Sequence, residues 1–195
     1  MRRLRTTASP TEQESAILKA AAEEVALVGL GRLSMDVIAR QAGVSRSTLY
    51  RRFPNRELLI TELGRQTFDF AMDRLQTVSV DDGPQAAAVA AFREGVRLLT
   101  GEPVMRRFLQ FDEDFTATSG MFDEARLFLV SASTAMAKAL RAAGATMSDD
   151  DLLAVAELHI RLAASLVQVS TPVLDVGDAE AVTRYAQTYL APLVH

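Results

Sequence analysis

The chain has 195 residues, 49% of them apolar, with no cysteine and a formal net charge of −4. That is enough for one generous domain or two small ones with a real core, and it excludes global disorder, disulfides and thiolate chemistry. No apolar run approaches the about 18–20 residues of a membrane span, and MRRLRTTASP lacks the apolar stretch of a secretory signal, so a reducing cytoplasm is the expected location.

Taken in order, almost every segment predicts helix. Ser9 is placed as N-cap before Pro10 with Glu12 as capping-box partner, and Thr11 with Glu14 makes an equally legal box. Ile17, Ala21, Val25 and Val28 follow at helical spacing, and Gly29 and Gly31 stop the helix. Ser34 caps a short helix carrying Val37, Ile38 and Ala39 and ending at Gly43; Ser45 caps the next, which ends before Pro54. Asn55 caps a longer helix through Leu58, Leu59, Leu63, Phe68 and Met72, ending near VSVDDGP. Residues 84–100 predict an amphipathic helix, and Pro103 suits the first turn of its successor. Two long patterns fill 121–144 and 148–170. The second is capped by Ser148, with Asp149, Asp150 and Asp151 in the first turn, where acids favour the helix dipole. A last helix spans 178–194. With no alternating strand, repeat or low-complexity tract, the fold class is all-α.

Charge divides this helical chain in two. Through Leu58 there are ten basic and six acidic residues, and beyond it eleven and nineteen, so a basic head sits on an acidic body. Only the head is expected to meet a polyanion. Residues 34–53 have the shape of a helix-turn-helix, with two short helices joined at Gly43, where a positive φ costs little. Ile38, Ala39, Ala42, Val44, Leu49 and Phe53 form its inner face, Leu49 and Phe53 being spaced i, i+4. The opposite face shows Arg46, Ser47, Thr48, Tyr50 and Arg51, donors suited to phosphates and base edges. Arg2, Arg3 and Arg5 are candidates for an arm along DNA, or for a merely solubilising tail.

The stretch IARQAGVSRSTLYRRFPNRELLI, residues 38–60, resembles the N-terminal signature of the tetracycline-repressor (TetR/AcrR) family of transcriptional regulators, over roughly residues 12–62. The resemblance implies a three-helix DNA-binding domain over 1–55 and a helical effector-binding and dimerisation domain over 56–195. It implies DNA contacts by Ser34, at the start of the second helix, and by Ser45, Arg46, Ser47, Thr48, Tyr50 and Arg51 of the recognition helix. Arg56 stands where a lysine grips phosphate, and Arg52 joins the same basic set. The implied partner is double-stranded DNA carrying a palindromic operator.

In the body, 148–170 is apolar nearly all round, and such a helix must be covered on both sides. Ala154, Ala156, Ala163, Ala164 and Ser165 would let another helix approach closely. Together with 178–194 this predicts a homodimer through a four-helix interface, the alternative being a buried central helix in a monomer. Met105, Phe108, Phe111, Phe115, Met121, Phe122 and Phe128, with His159, are the candidate lining of a pocket for a small apolar or aromatic effector, and plain core packing explains them equally well. Arg107, Asp112, Glu113 and Asp114 are the polar groups of that region. No catalytic or cofactor motif appears, and Asp149, Asp150 and Asp151 point about 100° apart and cannot converge on one metal. The chain is expected to be a dimeric ligand-responsive regulator, most simply a repressor, and not an enzyme; the alternatives are a constitutive DNA-binding protein without effector and, behind that, a small helical enzyme or carrier.

Overall fold

Capping decides where each helix of the head begins. In the computed structural model, which describes residues 9–78, 80–109, 121–169 and 171–195, the Ser9 hydroxyl accepts from the Glu12 N–H at 3.2 Å. The Glu12 carboxylate accepts the Ser9 N–H at 2.6 Å. The capping box is therefore the Ser9–Glu12 one, and it starts α1 (Pro10–Val28), which Gly29 ends at φ 80°. A short 3-10 turn, Leu30–Arg32, leads to α2 (Met35–Gln41), α3 (Arg46–Arg52) and α4 (Arg56–Gln76), capped by Ser34, Ser45 and Asn55. The body comprises α5 (Pro84–Gly101), α6 (Pro103–Leu109), α7 (Met121–Ala142), α8 (Asp149–Gln168) and α9 (Ala179–Tyr185). No strand occurs among the described residues.

The final helical pattern is broken where the sequence predicts one helix. After α9 the chain widens into a π turn, Ala186–Leu190, and finishes in a 3-10 turn, Ala191–Leu193. Pro192 has no N–H to continue the ladder, so the regular helix ends ahead of it.

One apolar cluster holds the head together. Ile17, Ala21 and Val25 of α1 meet Ile38 of α2, Leu49 of α3 and Phe53. Leu59, Ile60 and Leu63 of α4 belong to the same cluster, so α4 runs from the head core into the body. A boundary after residue 55 falls in front of three side chains that the head core uses.

The body core is divided. Val89, Phe92 and Val96 of α5 pack on Val182, Ala186 and Leu190. Ala87 and Ala88 pack with Leu140, Leu152 and Val194, and Ala71, Leu98 and Met105 form a third group. A cavity of about 300 Å³ lies where members of all three groups face one another.

Candidate nucleic-acid interface and body cavity

The turn between α2 and α3 is closed by the backbone. Gly43 takes φ 67°, and the Val44 N–H donates to the Ala39 carbonyl at 3.0 Å. This geometry drives Leu49, fully buried, and Phe53 into the head core. Arg46, Ser47, Tyr50 and Arg51 are consequently exposed together on the other side of α3, with Thr48 half-buried beside them. The Ser45 hydroxyl accepts from the Thr48 N–H at 3.1 Å and lies 2.9 Å from the hydroxyls of both Ser47 and Thr48. Three hydroxyls thus gather at the N-terminus of α3, where backbone N–H groups favour an anion. Ser34 caps α2 through the Val37 N–H at 3.5 Å. Arg46, Ser47, Thr48, Tyr50 and Arg51 share one surface, with Ser45 at its edge.

The remaining two arginines of the predicted set are placed elsewhere. Arg52 is half-buried and donates to Gln13 Oε1 of α1 at 3.5 Å. Arg56, also half-buried, donates to the Leu30 carbonyl. Both guanidinium groups tie helices of the head to one another. Arg2, Arg3 and Arg5 lie outside the described residues. Sequence reasoning also missed a partner. The Asp36 carboxylate lies 2.9 Å from Arg46 Nε, bridging the start of α2 to the start of α3. Both side chains are mostly exposed, so the pair contributes little stability, but it links the arginine on the exposed face of α3 to the start of α2. Ten residues separate the two, a spacing that no helical period encodes.

The cavity draws its walls from α4, α5, α6, α7 and α8. Of the predicted lining it brings together Met105, Phe128 and His159. Phe108 is not among them. Its ring lies 3.4 Å from where a Cβ on Gly64 would stand, packed against the head cluster. Its neighbour Arg107 donates to the Ala26 carbonyl of α1 at 3.2 Å, on the head side rather than the cavity side. Phe111, Asp112, Glu113, Asp114 and Phe115, and the side chains of Met121 and Phe122, lie outside the described residues. Sequence reasoning missed Phe92, Leu98 and Met136 as lining, because an apolar residue at helical spacing announces burial without saying against what.

His159 is buried, 1% exposed, and its ring meets Phe92 edge-on at 6.4 Å between centroids. Nδ1 lies 2.7 Å from the Val155 carbonyl. A carbonyl can only accept, so Nδ1 carries the proton. Nε2 has no hydrogen-bond partner among the described residues. Burial pulls the imidazole below its ordinary value, against the smaller opposing effect of the Val155 carbonyl, and keeps it neutral near pH 7.

The outer side of α8 differs from its expected composition. Ala156 and Ala163 are buried in the chain's own core, and Ala164 lines the cavity, while Ala154, Leu158 and Ser165 are exposed. Leu158 is 47% and Tyr189 62% exposed. The acids that open α8 are spread out: Asp149 pairs with Arg141 at 2.7 Å, and Asp151 accepts from the Ser148 hydroxyl at 2.7 Å. No group of three metal-ligating side chains converges among the described residues, and no described helix is long and apolar enough to cross a membrane.

Comparisons with known proteins bear on the head and on the whole fold. Residues 17–63 match the profile of the bacterial regulatory proteins of the tetR family. Solved structures share the fold over nearly the whole chain. Salmonella enterica GusR superposes with a TM-score of 0.75 at 19% identity, over 97% of this chain and 99% of that one. A putative TetR-family transcriptional regulator from Mesorhizobium loti gives 0.71 at 18%, over 95% and 96%. A TetR transcriptional regulator from Rhodococcus sp. RHA1 gives 0.62 at 24%, over 92% and 95%. No curated protein matches the chain by sequence.

Proposed function

From a head that belongs to the tetR family of bacterial regulatory proteins, on a chain with the fold of TetR-family transcriptional regulators, we infer a dimeric repressor that a small molecule releases from a palindromic operator. The observation that carries the DNA half of this reading is the surface of α3. Arg46, Ser47, Tyr50 and Arg51 are exposed together over a buried Leu49, so donors for phosphates and base edges are presented by a rigid support. Arg52 and Arg56 serve that surface indirectly, by holding α3 and α4 to the rest of the head.

Dimerisation is supported by the apolar groups that α8 and the C-terminal segment leave uncovered, Leu158, Tyr189 and Leu193 among them. One recognition helix reads too few base pairs to find one site in a genome. A two-fold pair doubles the contacts and spaces the half-sites by about 34–36 Å or a multiple of it.

The release step has a physical route through α6. Met105 lines the cavity, while Val104 and Phe108 of the same short helix pack against the head cluster and Arg107 holds the end of α1. A ligand that fits best when Met105 is displaced shifts α6, and with it the head and the separation of the two recognition helices. The cavity of about 300 Å³ favours this reading over a DNA-binding protein without an effector. Recovery of genomic DNA by the purified protein, followed by gel shifts on the recovered site, tests the reading. Recovery of sequences without a shared palindrome would overturn it.

A further inference from the structure

The chemistry of the cavity narrows the effector to one class, an inference that rests on the regulator reading above. Its described wall is apolar, with Phe92, Leu98, Met105, Phe128 and Met136 facing inward and no charged side chain. Gly95 stands in the middle of α5, where glycine weakens a helix relative to alanine, and a Cβ there would meet nothing within 4 Å. The space a side chain would fill belongs to the cavity instead.

Two polar side chains line this wall, Gln76 and His159. Gln76 is exposed and marks the solvent side; His159 is buried. With Nδ1 donating to Val155, the neutral ring offers Nε2 as an acceptor only, and no described group reaches it. A buried acceptor left without a partner is costly, and it favours a guest that brings a donor. A charged guest finds no counter-ion in the described wall and would pay for its own desolvation. Size follows from a comparison: an apolar cavity of about 150 Å³ holds benzene, and this one is about twice that.

We propose that the cavity takes an uncharged, chiefly apolar molecule of about two fused rings, bearing a hydroxyl that donates to Nε2 of His159.

Naphthol, naphthalene and naphthoate are matched probes of this assignment. The chain contains no tryptophan, so naphthol emission can be followed directly during titration of the full-length protein. Naphthol should bind roughly tenfold more tightly than naphthalene, the worth of about one buried hydrogen bond, and naphthoate more weakly than either. In His159→Leu the preference for naphthol over naphthalene should fall to about one. Gly95→Leu should remove binding of all three while circular dichroism shows the helices intact. Equal wild-type affinities for naphthol and naphthalene, tighter binding of naphthoate, or no binding at all would overturn the proposal. So would a preference surviving in His159→Leu, or binding surviving in Gly95→Leu. The wild-type series decides even where a variant does not fold. Because binding is read without DNA, naphthol that binds as expected but leaves the operator complex intact removes the release mechanism and leaves this assignment standing.

Discussion

Head and body are made of the same kind of helix, yet they are packed to different standards. The head buries Ile17, Ile38 and Leu49 completely in one cluster. The body parts its apolar side chains among three clusters and leaves about 300 Å³ between them. A surface with the proposed reading role has to be held within a fraction of a hydrogen-bond length, and filled supports suit that role. A body that takes the proposed effector must keep space for it and give up the contacts that would have filled that space. Two helices touch both: α4, with Leu59 and Leu63 in the head core and Ala71 and Met72 at the cavity, and α6, through Phe108 on one side and Met105 on the other.

The contrast can be broken first at the level of assembly. Leu158→Glu puts a charge on the exposed side of α8 and should give monomers whose loss of specific operator affinity is on the order of 10³-fold or more. Thermal stability should hold, since the side chain is not part of the chain's own core. Light scattering and gel shift on one preparation check it. A monomer that still grips the full operator breaks the dimer mechanism.

Next in size is packing itself. Leu49→Ala should cost about 2–5 kcal/mol, the range for deleting a buried leucine from a filled core. Met136→Ala should cost less than about 2 kcal/mol, because it is half-buried and only widens a void already present. Urea unfolding of both variants measures the difference. Equal costs would show that the two regions are packed alike.

Within the head, Arg51→Ala should cost about 1–3 kcal/mol of operator binding, lower the salt dependence by about one phosphate per subunit, and leave the Tm unchanged. Arg52→Ala should lower the Tm and leave the salt dependence alone, since its guanidinium is turned to Gln13. A reversed pattern, read by gel shift at several salt concentrations, would mean that the outward face of α3 has been assigned to the wrong side.

The smallest effect belongs to the cavity. Gly95→Ala should raise stability by about 0.4–1 kcal/mol, visible as a small increase in Tm, because the helix gains a better residue and the methyl meets open space. A loss of stability there would show that the cavity is narrower than its shape suggests.

Most of the fold was legible from residues a few positions apart. Ser9, Ser34, Ser45, Asn55 and Ser148 each cap the helix that follows, since a cap bonds an N–H two or three residues on and nothing distant has to be known. The buried side of α3 was legible for the same reason: Leu49 and Phe53 are one turn apart, and the donors lie opposite. The long α8 was not. Apolar on more than one face, it did not reveal that Ala156 and Ala163 turn inward while Leu158 turns out.

The sequence by itself thus determined most of the helices and their caps, and the face of α3 presented to solvent, all set by contacts within one or two turns; the start of α1 and the break after α9 it left to the fold. Only the tertiary structure decided that Arg52 and Arg56 brace the head, that Asp36 holds Arg46, and that Phe108 leaves the cavity for the head core. It alone revealed the cavity, for a void is the space that several distant helices fail to fill. No spacing along one helix can encode it.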